Sequence, residues 1–106
     1  MINEMAQKPS VLVMMATYNG EKYVTEQIDS ILAQESVNVT LLISDDGSSD
    51  GTPSICKRCA EKMPCIHFAV NEKNKGLARN FMDMLYCADV TSFDFFAFSD
   101  QDDYWM

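Results

Sequence analysis

Four short apolar runs limit what this chain can fold into: residues 11–16, 39–43, 66–70 and 93–98, the last broken only by Asp94. Each is too short for a buried helix and is bounded by turn residues, so each reads as a strand, the first and last as buried ones. The stretches between them change to helical period. Val24, Ile28, Ile31 and Leu32 share one stripe, with Glu21, Glu26 and Asp29 away from it; Ile55, Cys56, Cys59 and Met63 share another; Leu77, Phe81, Met84, Leu85 and Ala88 a third. Thr52 as N-cap and Pro53 at the first helical position start the second helix, and Pro64 stops it. Strand starts recur about every 28 residues, the length of a βαβ unit, and the turn sequences differ too much for a self-similar repeat. The class is α/β. Right-handed crossovers then bring the loops at Thr17, Asp45, Asn71 and Asp100 to one rim, where open α/β sheets bind ligands.

A chain of 106 residues, 47% apolar, is expected to form one layered domain, with residues 1–10 a polar leader and 11–106 the folded unit. Its 8 Lys plus Arg against 16 Asp plus Glu leave a net charge of -8, which disfavours nucleic acid as a partner. The N-terminal segment lacks the apolar middle of a signal peptide, and no run approaches a membrane span, so a cytoplasmic location is expected. Cysteine usage agrees. Cys56-x-x-Cys59 has no second ligand pair at a metal-binding interval, and Cys56 and Cys59 share a helix face, where reduced thiols serve as small apolar residues. His67, inside a strand, reads as a structural residue.

The chemistry is concentrated on the rim. The Phe-rich strand breaks into Ser99, Asp100, Gln101, Asp102 and Asp103, and carboxylates this close raise one another's pKa unless a cation lies between them. Asp100-x-Asp102 offers hard oxygen ligands to magnesium or manganese, which commonly complete their shells with substrate phosphates. The plain alternative is a solvated acidic turn after a core strand. With no Gly-x-Gly-x-x-Gly and no Gly-Lys-Ser/Thr turn, phosphates would have to be met through a metal, and Asp45, Asp46, Asp50, Asp100, Asp102 and Asp103 would otherwise repel a diphosphate. Tyr18 could lie against a base or simply pack. Two other classes are weaker. Asp46-x-Ser48-x-Asp50-Gly51 opens like an EF-hand loop, but Lys57 stands where the bidentate Glu belongs and a strand precedes it. A receiver-like or other non-catalytic metal- or phosphate-binding module would need acids on the first strand, where Ala16, Thr17 and Tyr18 stand.

Four segments in order carry a family resemblance: Val11 to Gly20 (VLVMMATYNG), Ile43 to Thr52 (ISDDGSSDGT), Asn74-x-Gly76, and Ser99-Asp100-Gln101-Asp102-Asp103. Together they resemble the nucleotide-sugar-binding part of a glycosyltransferase family 2 enzyme of GT-A fold. Asn74-x-Gly76-x-x-x-Asn80-Phe81 with Ser-Asp-Gln-Asp-Asp is similar to the rhamnosyltransferase-like branch. The resemblance implies a three-layer α/β/α, Rossmann-like, mainly parallel sheet of order 3-2-1-4, which would set Tyr18 near Asp100. It implies donor contacts at Ala16, Thr17 and Tyr18, with Glu21; pyrimidine reading by Asp46; and ribose and metal at Asp100 and Asp102. Arg79 is a candidate nucleotide contact, with an ion pair to a neighbouring acid as the equal alternative.

The implied reaction is inverting transfer from a UDP- or dTDP-sugar, with manganese or magnesium, to a glycan or lipid-linked acceptor in cell-surface polysaccharide synthesis. A full-length enzyme could lie peripheral to the inner face of the membrane. Family members run well beyond this length, so the chain reads as truncated at its C-terminus, with the catalytic base expected beyond residue 106 and no catalytic residue assigned within it. Self-association through an exposed apolar edge around Phe95, Phe96 and Trp105 is the further expectation.

Overall fold

The computed structural model describes residues 8–88 and 90–100. The apolar runs form four parallel strands, β1 (Ser10–Thr17), β2 (Asn38–Asp45), β3 (Ile66–Val70) and β4 (Phe95–Asp100), in the order β3-β2-β1-β4. Three helices connect them: α1 (Val24–Leu32), α2 (Thr52–Lys62) and α3 (Leu77–Cys87), with a single 3-10 turn at Val90–Ser92 before β4.

Strand β1 explains why its sequence is apolar without alternation. Val13 and Met15 join a core with Val24, Ile28 and Ile31 of α1, Cys56 of α2, and Leu41, Ile43 and Ile66 of the neighbouring strands. Leu12, Met14 and Ala16 point the other way and pack with Met84, Phe81 and Leu85 of α3. Side chains alternate across a strand, and here both faces are covered, so every position must be apolar. Each large apolar side chain buried this way contributes about 1.5–3 kcal/mol. The α/β class, three layers and strand order expected from the sequence are all present.

Three local expectations need correction. The helical pattern read from Glu21 onward becomes helix α1 only at Val24, because Gly20 to Tyr23 form a turn in which the Tyr23 and Val24 amides both donate to the Gly20 carbonyl at 2.9 Å. Thr52 is the first helical residue of α2, and Gly51 is its N-cap. The reason is Asp50: its Oδ1 accepts the Thr52 amide (2.9 Å) and hydroxyl (2.5 Å), doing the work expected of a capping threonine. The third correction concerns the Phe-rich run. It starts at Phe95 and lies at the sheet's lateral edge, where Phe95, Phe96 and Phe98 are 62%, 48% and 44% exposed. Only β1 flanks it among the described strands, and Phe81 meets Phe98 with ring centroids 5.0 Å apart.

Candidate functional site

The carboxyl ends of the strands are tied into one rim by the backbone. Ala16 stands in register between Ser44 and Asp100, and Thr17 opposite Asp45. The pairing then runs past the strands: the Asp46 amide donates to the Thr17 carbonyl (2.9 Å) and the Asn71 amide to the Asp45 carbonyl (2.8 Å). A cavity of about 270 Å³ opens here, lined by Ala16, Thr17, Tyr18, Asp46, Asn74, Gly76, Leu77 and Asn80.

Asp46 is the charged group of that lining, and the chain between β3 and α3 closes around it. The Lys75 amide donates to both carboxylate oxygens (2.8 and 3.0 Å), the Gly76 amide to Oδ2 (2.8 Å) and the Asn71 side-chain amide to Oδ1 (3.0 Å). Asn74 Nδ2 donates to the Asp46 carbonyl at 3.1 Å. Gly76 holds φ at +85°, a left-handed conformation that a side chain would strain, and this aims its amide at the carboxylate. Burial pushes the Asp46 carboxyl up. The Lys75 amide, the Asn71 side chain, the Gly76 amide and the Lys75 charge together outweigh it and hold the carboxyl below the usual aspartate value. The result is a buried carboxylate that stays ionised and can only accept hydrogen bonds.

Of the other acids placed on the rim from the sequence, two serve the turns. Asp45 is fully buried and accepts from the Thr17 hydroxyl (2.7 Å), the Ser48 hydroxyl (2.6 Å) and the Gly47 and Ser48 amides (3.1 and 2.8 Å). Asp50 caps α2 and accepts the Glu21 amide at 3.2 Å; the Thr52 hydroxyl is the chief cause of its lowered pKa. Acids in turns accept backbone amides so readily that they are not an open anionic rim, which corrects that expectation for these two residues. Glu21 Oε1 accepts the Gly51 amide at 2.8 Å, and a Cβ on Gly51 would come within 3.1 Å of that carboxylate. Tyr18 is half exposed at the mouth of the cavity.

Arg79 stands outside the cavity lining on the exposed side of α3, with its Nε 3.4 Å from Asp83. Lys75 reaches the same carboxylate at 2.8 Å, and its hydrogen bond is the main reason the Asp83 pKa is lowered. The backbone of Asp100 ends β4 beside Ala16, while its side chain and all of Asp102, Asp103 and Trp105 lie outside the described residues. Among the described residues no group of three or more His, Cys, Asp or Glu could hold a metal ion.

Sequence reasoning gave no role to Ser44, Asn71, Lys75 or Asn80. Asn80 is 1% exposed and bonds Ser44 and Asn71. A signal was available: Asn80 lies three residues after Leu77 and four before Met84, on the apolar stripe of α3, where a polar side chain must find buried partners.

A parallel sheet with helices on both faces and a ligand-sized cavity at its carboxyl rim defines a Rossmann-like α/β domain. The chain belongs to glycosyl transferase family 2, whose family profile matches residues 12–106. It is 41% identical over 93 residues, 86% of its length, to the dTDP-rhamnosyl transferase RfbG of Shigella flexneri, of which the match covers 32%. Staphylococcus aureus TarS 1-349, solved in complex with UDP-GlcNAc, superposes with a TM-score of 0.77 at 30% identity, over 90% of this chain and 27% of that one. The mannosyltransferase PcManGT of Pyrobaculum calidifontis, in complex with GDP-Man and Mn2+, superposes with a TM-score of 0.79 at 27% identity, over 93% and 29%. The chain therefore spans about a third or less of the length of these relatives.

Proposed function

We propose that this chain carries the donor site of a cytoplasmic glycosyltransferase that moves a sugar from a UDP- or dTDP-sugar to a hydroxyl of a glycan or lipid-linked acceptor, with inversion, in cell-surface polysaccharide synthesis. The observation that carries the reading is Asp46: an ionised, acceptor-only carboxylate in the cavity at the sheet's carboxyl rim. A carboxylate offers about four lone-pair sites; three donors make four contacts here, the Lys75 amide being shared between both oxygens, so a further donor is accepted by taking over one of the two contacts of that bifurcated amide. The imide N-H of uracil or thymine is a donor of that kind; the adenine ring presents none at the equivalent place. The dTDP-rhamnosyl relative and the UDP-GlcNAc complex of TarS support a pyrimidine donor. Ala16, Thr17 and Tyr18 line the cavity, Tyr18 is the residue read here as the platform for the base, and Glu21 holds the α2 turn behind it.

Asp100 and Asp102 would hold the divalent metal, manganese or magnesium, since paired carboxylate oxygens suit such hard cations. When bound, the metal neutralises the diphosphate and its developing charge. In the reaction the acceptor oxygen bonds to the anomeric carbon, the bond from that carbon to the diphosphate breaks, and a carboxylate takes the hydroxyl proton.

Calorimetry with uridine, thymidine and adenosine diphosphates tests the reading. Pyrimidine nucleotides should bind with manganese or magnesium and lose most affinity in EDTA or in Asp102→Asn. Asp46→Ala should weaken them and leave the weak adenosine diphosphate binding unchanged. Equal binding in EDTA would refute the metal bridge, and an equal loss for all bases would refute base reading by Asp46. A response to metal with none to nucleotide would instead identify a non-catalytic binding module.

A further inference from the structure

The motif Asn74-x-Gly76-x-x-x-Asn80 contains a device for orienting Asp46. Asn80 is buried in the cavity wall on α3, and its amide has two partners that fix its direction. Its Nδ2 donates to the Ser44 main-chain carbonyl at 3.0 Å. A carbonyl oxygen can only accept, so the Asn80 nitrogen must face it, and the Asn80 oxygen is turned towards Asn71. That oxygen accepts the Asn71 side-chain amide (3.0 Å) and the Ser44 hydroxyl (2.7 Å). Asn71 is thereby oriented in turn: its Nδ2 faces both the Asn80 oxygen and Asp46 Oδ1, at 3.0 Å each. Were the Asn71 amide reversed, its oxygen would confront both the Asp46 carboxylate and the Asn80 oxygen.

We propose that Asn80 is a positioning residue for Asp46. It acts through Asn71, passing the fixed polarity of the Ser44 carbonyl along two side-chain amides so that a donor always faces the base-reading carboxylate. The role as a reader of the base rests on the function proposed above; the orientation of Asp46 does not. Among the described residues Asn71 is the intermediary between the two: the Asp46 carboxylate takes its hydrogen bonds from Asn71, Lys75 and Gly76, and the Asn80 side chain bonds Asn71 and Ser44. Glu72, Lys73 and Lys75 on this loop, Asp83 as the partner of Lys75, and Asp45 next in sequence are the charged groups around Asp46, and the variants below leave all five in place.

The test combines carboxyl carbon NMR titration of Asp46 with calorimetry, on the full chain, for Asn80→Ala, Asn71→Ala and the double variant. Both single variants should raise the pH at which Asp46 titrates and weaken uridine diphosphate by about threefold to tenfold, the range for one hydrogen bond, with adenosine diphosphate unaffected. The double variant should match Asn71→Ala, because Asn80 acts through Asn71. An unchanged Asp46 titration in folded Asn80→Ala, or losses that add in the double variant, would overturn the proposal. Should Asn80→Ala fail to fold, Asn80→Ser carries the same comparison: it keeps a polar side chain, removes the amide oxygen that Asn71 faces and is too short to replace it. If the wild-type chain bound no nucleotide, the functional reading would fall while the titration still decided the positioning.

Discussion

Replacing Asp46 by Asn changes one oxygen into an NH2 group and tests the loop's dependence on charge. With the remaining oxygen at the Oδ2 position it keeps the Gly76 amide and the longer Lys75 contact (3.0 Å), while the new NH2 faces the Asn71 Nδ2 donor and the Lys75 amide at 2.8 Å, so two hydrogen bonds become donor-donor contacts. The others lose their charge assistance. A hydrogen bond to a charged group is worth about 1.5–3 kcal/mol, and relief of a buried charge offsets part of the loss, so a net destabilisation of about 2 kcal/mol is expected. For a domain near this size that lowers the melting temperature by about 8–16 °C at pH 7. The sign with pH follows from the lowered carboxyl pKa. The stabilisation is fully present above the ordinary aspartate range and is lost as pH falls through the lower folded-state value. Circular dichroism melts of both proteins from pH 7 downwards measure this: the gap should narrow as the pH drops below the aspartate range. Equal melting temperatures at pH 7, or a gap that persists unchanged in acid, would refute the argument that the ionised form holds the loop.

Met14, fully buried in the central strand, should cost about 2–5 kcal/mol on truncation to Ala, read from urea unfolding; a loss under 1 kcal/mol would mean that α3 collapses onto the sheet to fill the space. Burial first, then the charge of Asp45 and the neighbouring Cys59, push the Cys56 thiol up to about 12. A thiol-specific reagent at pH 8 should therefore label exposed Cys87 quickly and Cys56 only on unfolding, and rapid labelling of Cys56 in the native protein would contradict its placement. The half-exposed Phe95 and Phe96 on an edge strand should drive self-association at high concentration, and Phe96→Lys should shift light scattering towards monomer; a wild-type monomer throughout would remove that role from the edge.

The succession of elements was legible because its signals are local. The apolar runs and helical stripes bury side chains at intervals of two or of three to four residues, so strands β1 to β3 and the stripes of all three helices could be placed from neighbouring residues alone. Even the sheet's two covered faces are visible in β1, where Leu12 to Ala16 have no polar position. The capping of α2 escaped because Ser, Thr and Asp at 48–52 all compete for the same amides, and only the folded turn decides that Asp50 wins. Strand β4 looked buried because hydrophobicity reports what a side chain prefers; whether anything lies beside it depends on the strand's place in the sheet. The site divides in the same way. The acids could be read from the sequence, but not the division of labour between adjacent Asp45 and Asp46, one spent on its own turn and the other on a loop about 30 residues away. Hydrogen-bond partners at that separation are chosen by the parallel crossovers, which bring Ser44, Asn71 and Asn80 to one rim, and no local period in the chain encodes that meeting.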